Sequence, residues 1–418
     1  MFRLVLISSL LAISLAATVN LRLPNLVPAV TNDLPDFSDI TDNITDIVKA
    51  RFDDLVSKGL GRHVQELIGI QKKLKIINKI AAEQVKKANA NSGRFGAIAH
   101  EIFHAFGVFH HHSRSDRDTY LTLSAANQDD NQFTKLTTSD SYNYGTMYDY
   151  GSVMHYGLDG MTAVETLYQS TMGAGLGPQF GDIVLINTQY QCMCKSATVT
   201  CANGGYPNPN GCSTCLCRGG FGGSDCSVRD PGTENPDVGV TLQAIASDSC
   251  QTLVTSLGND DGVINLYYQK SWFWIQAPAG KQVQLIFQKA GTSPGVSYSQ
   301  GYGCTDQGVE IKLKNGEFNR TGTLFCGDDP ALVSTPSNII PFTSDSELAI
   351  LQVYSQTNKF NLQVKYRYVD STTLSTIPGS CQPCLDQYSN CNTFTSDVCA
   401  NNQNIASGCP VTCGTCPK

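Results

Sequence analysis

A chain of 418 residues exceeds what a single hydrophobic core usually organises, so several units are expected. With 41% hydrophobic residues, 16% charged residues and a formal charge of −7, it has material for buried cores but no basic excess, which excludes nucleic-acid binding. All seventeen cysteines fall between Cys192 and Cys416, which implies a disulfide framework made in an oxidising compartment, and their odd number leaves at least one thiol over.

Residues 1–17 carry Arg3, an apolar run from Leu4 and small residues at Ala16 and Ala17, the layout of a cleaved signal peptide. The run is shorter than the roughly 20 residues a membrane span needs, and no later stretch reaches that length, so a secreted, extracellular protein without a membrane span is expected. Two N-glycosylation sequons, Asn43-Ile44-Thr45 and Asn319-Arg320-Thr321, agree with that compartment. Residues 18–92 read as a helical pro-segment or spacer, because Ile44, Ile47, Val48, Phe52 and Leu55, then Leu67, Leu74 and Ile77, recur at helical spacing around a joint at Gly59 and Gly61. His63 and the pairs Lys72-Lys73 and Lys86-Lys87 read there as solvated surface.

Residues 93–192 hold the chemistry. The run HEIFHAFGVFH from His100 puts His100 and His104 four residues apart on one helix face, with Glu101 beside them. Gly107 permits a sharp turn that returns His110 as a third imidazole. Three neutral histidines suit one Zn2+ per chain with a position open for water, whose pKa such sites lower from about 15.7 to about 7. Glu101 is then placed to take that water's proton as it attacks a peptide carbonyl and to return it to the leaving amine. The GxxH extension and a downstream methionine turn, Ser152-Val153-Met154-His155-Tyr156, make the pattern specific. His112 and His155 read as hydrogen-bonding residues and not as further ligands.

Beyond Cys192 the chain is punctuated by cysteine. Residues 193–227 carry six cysteines and too few apolar residues for a core. Residues 238–369 alternate apolar and polar, as in Trp272–Ile275, Val283–Ile286, Val309–Leu313 and Phe360–Val364, which predicts a β-sandwich. A Ser/Thr linker from Thr372 leads to a second stapled miniature, 384–416.

On these motifs the chain resembles the astacin-type zinc metalloproteases of the multidomain nematode kind. The Ser113–Asp118 run and the FGDIVLINTQYQC segment ending at Cys192 match that family's pattern. The resemblance implies zinc held by His100, His104 and His110, Glu101 as catalytic base and acid, and Tyr156 as a catalytic residue that stabilises the oxyanion. It implies a multidomain α+β fold: a truncated metzincin-type catalytic domain, a disulfide-rich EGF-like module, a CUB-like β-sandwich and a small ShKT module. A secreted zinc metalloendopeptidase acting on peptide or extracellular-matrix protein substrates follows. The alternative is a catalytically impaired secreted binding or scaffold protein that retains the zinc site.

Three departures from the family are legible. Its N-terminal catalytic subdomain, whose edge strand receives substrate, has no counterpart here. His111 stands where the family has a glutamate, and the first cysteine pair of the CUB-like region is absent around Val240 and before Trp272. By the resemblance Cys304 pairs with Cys326, and the terminal module pairs Cys384–Cys416, Cys391–Cys409 and Cys399–Cys413. Cys217–Cys226 is expected in the EGF-like module, and Cys192, Cys250 and Cys381 are left without assigned partners.

Overall fold

The computed structural model describes residues 95–413, with 293–301, 371–375, 384–389 and scattered shorter positions outside the description. The expected signal peptide, the helical spacer, Asn43, His63 and the lysine pairs lie outside the described residues, as do Cys384 and Cys416. Among the described residues no helix is long and apolar enough to cross a membrane.

The unit that carries the histidines opens with α1 (Phe95–Ala105). Ala99 and Phe103, four apart on one face, pack with Val153, Met154 and Ile186. A short ribbon of β1 (Leu121–Leu123) and β2 (Met161–Ala163) follows, with α2 (Ala125–Gln128) between them in sequence and α3 (Phe180–Gln189) closing the unit. A second core of Leu121, Phe133, Tyr148, Tyr150, Met161, Tyr168 and Met172 lies under the ribbon. Among the described residues this ribbon is the only sheet before Cys192.

After Cys192 comes a piece stapled by Cys194–Cys212, Cys201–Cys215 and Cys217–Cys226, the last as expected. It holds two ribbons, β3 (Tyr206–Pro207) with β4 (Cys215–Leu216) and β5 (Phe221–Gly222) with β6 (Val228–Arg229). The β-sandwich then spans β7 (Thr241–Gln243), β8 (Gln251–Leu257), β9 (Gln269–Gln276), β10 (Lys281–Thr292), β11 (Gln307–Lys312), β12 (Thr323–Phe325), β13 (Pro341–Thr343), β14 (Leu348–Ser355) and β15 (Phe360–Asp370). One sheet runs β13-β10-β15-β8 and the other β12-β11-β14-β9-β7; β7 joins β9 in parallel and the other pairings are antiparallel. Phe273, Ile275, Leu285, Phe287, Leu351 and Val364 are among the side chains that fill the space between the sheets.

On β9 both faces are covered, not one. Phe273 and Ile275 face the inter-sheet core, while Trp272 and Trp274 pack outward against Phe221, Phe318 and Ile350, and the Trp274 indole N–H donates to the Gly220 carbonyl at 2.8 Å. The stapled piece thus caps a sheet face whose aromatic residues would otherwise be wet.

The cysteine pairing corrects one expectation. Cys250 and Cys381 are bonded to each other across 131 residues, tying the start of β8 to the segment after β15, and Cys192 is the one free cysteine among the described residues. Cys304–Cys326, Cys391–Cys409 and Cys399–Cys413 form as the resemblance implied. The last two hold α4 (Ser396–Asn401) and α5 (Gln403–Gly408) in the terminal piece.

Candidate metal centre

The helix α1 ends in a Schellman motif: the Gly107 N–H donates to the His104 carbonyl at 2.9 Å and the Val108 N–H to the Phe103 carbonyl at 3.0 Å. Gly107 has φ +80°, a conformation glycine adopts without strain, and its sharp turn sends His110 back toward the helix. His110 itself is extended, at φ −57° and ψ 138°.

The three expected ligands come together. Nε2 of His110 lies 3.3 Å from Nε2 of His100 and 3.0 Å from Nε2 of His104, and the potential ligand atoms all fall within 4.8 Å of one another. His100 Nδ1 donates to the Val153 carbonyl at 2.7 Å and His104 Nδ1 to the Val108 carbonyl at 2.9 Å, which leaves their Nε2 atoms as bare lone pairs. Burial lowers the pKa of His100, and burial together with His112, His104 and His100 holds His110 down at about 3, so these two imidazoles are neutral at neutral pH. Tetrahedral zinc with nitrogen ligands at about 2.0–2.1 Å sets those nitrogens about 3.3 Å apart, so spacing, tautomer and charge all fit this cation.

Glu101 follows His100 on the helix, half-buried, and its charge acts on the His100 ring. The Tyr156 ring lies 4.2 Å from His110, 4.4 Å from His112 and 6.5 Å from His100 between centroids. Below them Met154 is fully buried, and its carbonyl accepts the His111 N–H at 2.8 Å.

The remaining histidines hold the frame. His111 is buried and its Nε2 accepts the Asp149 N–H at 2.9 Å, while burial and then the Arg114 charge push its pKa well below the usual value. A neutral ring committed in this way carries no charge to offer an incoming amine. His155 donates from Nδ1 to the Tyr156 carbonyl at 2.7 Å, so its Nε2 accepts the Tyr148 hydroxyl at 2.8 Å. His112 stacks on His110, and its Nε2 donates to the Gln132 carbonyl at 3.2 Å. The Ser113–Asp118 run is a strut: Arg114 holds Asp116 through two nitrogens and the Thr146 and Met147 carbonyls, and Arg117 reaches the His112 and Phe133 carbonyls.

Two carboxylates to which the sequence assigned no role are central. Asp182 on α3 accepts from the Ser152 hydroxyl at 2.6 Å, the Gln179 N–H at 2.9 Å and the Val153 N–H at 3.1 Å. Asp149 accepts from the Gly151 N–H at 2.9 Å and from Thr321 of the sandwich at 3.1 Å. An acid at the third position of a helix is a capping signal, but its reach to the methionine turn is invisible in sequence.

Comparison with known proteins follows the same residues. The sequence model of a family described as Astacin (Peptidase family M12A) matches residues 75–191; its first part, 75–94, lies outside the described residues, and 75–92 falls within the stretch read as spacer. The chain is 31% identical over 360 residues to zinc metalloproteinase nas-31 of Caenorhabditis elegans, covering 81% of this chain and 55% of the relative. It is 31% identical over 294 residues to zinc metalloproteinase nas-25 of the same organism, covering 67% of this chain and 69% of the relative. Among solved structures it is similar to high choriolytic enzyme 1, a hatching enzyme zinc-protease from Oryzias latipes, at 32% identity and TM-score 0.20 over 23% of this chain and 52% of that one. The chain spans about half the length of the curated relatives it matches first, with shares of 55%, 42% and 43%. The family match over the histidine-bearing unit, together with 31% identity across 69% of nas-25, means that the chain belongs to the astacin family of metalloproteinases.

Proposed function

We propose that the protein is a secreted zinc-dependent endopeptidase that hydrolyses peptide bonds in peptide or extracellular-matrix protein substrates. The observation that carries this reading is the convergence of the Nε2 atoms of His100, His104 and His110, with Glu101 next to His100 on the same helix. His100, His104 and His110 would hold one zinc ion per chain. Zinc, when bound there, supplies Lewis acidity toward a carbonyl oxygen and toward water. Glu101 accepts the proton of the attacking water and delivers it to the departing amine, which keeps the leaving group neutral. The Tyr156 hydroxyl donates a hydrogen bond to the oxyanion, from a ring set by its packing on His110 and His112.

The modules take their place around this centre. Residues 1–17 serve as the signal peptide, and seven disulfides among the described residues suit an oxidising compartment. The stapled piece 193–227 acts as an EGF-like module and the sandwich as a CUB-like domain, which together assist substrate choice, and 384–416 is a ShKT module that serves as a structural or docking appendage. The test is hydrolysis of a peptide library by the zinc-loaded protein and by Glu101→Gln. Cleavage by the wild type alone supports the reading; equal silence from both, with zinc bound, overturns it.

A further inference from the structure

The sandwich does not hang beside the histidine-bearing unit but is built into it through residues 317–324. Thr321, 3% exposed, gives both its N–H and its hydroxyl to one carboxylate oxygen of Asp149 at 3.1 Å. The approach is close enough to require glycine opposite, since a Cβ on Gly151 would stand 2.5 Å from the Thr321 hydroxyl. Arg320 beside it is ion-paired with Glu165 at 3.1 Å and lies 4.4 Å over the Tyr168 ring. The Leu324 N–H donates to the Thr171 hydroxyl at 3.0 Å.

From Asp149 the bonds lead to the metal centre. Its other oxygen accepts the Gly151 N–H at the entry to the methionine turn, its own N–H donates to His111 Nε2, and the His111 N–H donates to the Met154 carbonyl, one residue from His110. Without the hydroxyl of Thr321, one oxygen of a buried carboxylate keeps a single backbone donor, and the turn is held less firmly.

We propose that Thr321, a residue of the sandwich, is a positioning residue of the metal centre, acting through Asp149 and His111 to fix the methionine turn and His110. The inference rests on the zinc-site reading above and extends that site across a domain boundary. It also gives the Asn319-Arg320-Thr321 sequon a second role, because its threonine hydroxyl is engaged in the interface.

The experiment is zinc affinity, by competition with a chelator of known strength, for the full-length wild type and for Thr321→Val, Thr321→Ser and Asn319→Gln. Thr321→Val is expected to bind zinc about tenfold more weakly, as when outer hydrogen bonds of other metal sites are removed. Thr321→Ser keeps the hydroxyl, and Asn319→Gln removes the sequon while leaving the Thr321 hydroxyl in place, so both are expected within about twofold of the wild type. Both tryptophans, Trp272 and Trp274, lie in the sandwich, so their fluorescence on denaturation reports its integrity separately. An unchanged tryptophan transition with weakened zinc binding supports positioning. Equal affinity of Thr321→Val and wild type overturns it, as does a loss in Asn319→Gln matching that in Thr321→Val. Absence of zinc from the wild type instead removes the proposed function itself.

Discussion

Asp182 and Ser152 are joined by a hydrogen bond of 2.6 Å that pins the methionine turn to the closing helix. The same carboxylate holds the Val153 N–H, and the Val153 carbonyl accepts from His100, so one buried acid links α3 to a histidine of the metal centre. Replacing Asp182 by Ala strands the Ser152 and Val153 donors in a buried site. A loss of about 3 kcal/mol is expected, since breaking buried, charge-assisted networks costs on that order. Urea denaturation followed by tyrosine near-ultraviolet dichroism measures it; a change under about 0.5 kcal/mol, the scale of ordinary surface substitutions, contradicts this role.

Zinc content tests the ligand set most directly. The wild type is expected to carry about one zinc per chain, as a three-histidine site with one open position requires. His104→Ala is expected to carry none, because two imidazoles cannot enclose the ion. Metal analysis after dialysis decides the matter, and zinc retained at full stoichiometry in His104→Ala would falsify the assignment.

The pH dependence of the metal-free protein has a definite sign. Burial is the main cause that lowers three framing imidazoles: His111 well below its ordinary value, His112 to about 3 and His155 to about 4. Each therefore contributes stability that is present above the unfolded value near 6.5 and is lost as pH falls through the folded one. Asp182 opposes them: burial, then the Asp149 charge, raises it to about 6, so its contribution is lost as pH rises. Burial also raises Asp149 and Asp230, but with His100 and His110 lowered as well the depressed imidazoles outnumber the raised carboxyls, so the urea midpoint in the presence of a chelator is expected to fall from pH 6.5 to pH 4. A midpoint that stays level or climbs over that range rules this out.

The Cys250–Cys381 bond closes a loop of 131 residues. By loop-closure entropy such a link is worth about 5 kcal/mol, so Cys250→Ser is expected to lower the denaturation midpoint of the sandwich substantially. Non-reducing peptide mapping should recover Cys250 joined to Cys381. Among the described cysteines, Cys192 alone should take up alkylating reagent in denaturant without reductant, because it is buried and unbonded. Recovery of Cys192 in a disulfide would refute the pairing.

What the sequence determined by itself is local and periodic. Spacing by four puts His100 and His104 on one helix face, Gly107 marks the turn, and period-two alternation marks β10, β11 and β15, because these patterns follow from the geometry of a helix turn and a pleated strand. The EGF-like resemblance carried Cys217–Cys226, which the structure forms. The tertiary structure decided what joins distant segments: Cys250 with Cys381, Asp182 with Ser152, Thr321 with Asp149, and the second buried face of β9. Each of these depends on which surfaces meet after the chain has folded, and a partner more than a hundred residues away, or across a packed interface, leaves no periodic mark on the sequence of either side.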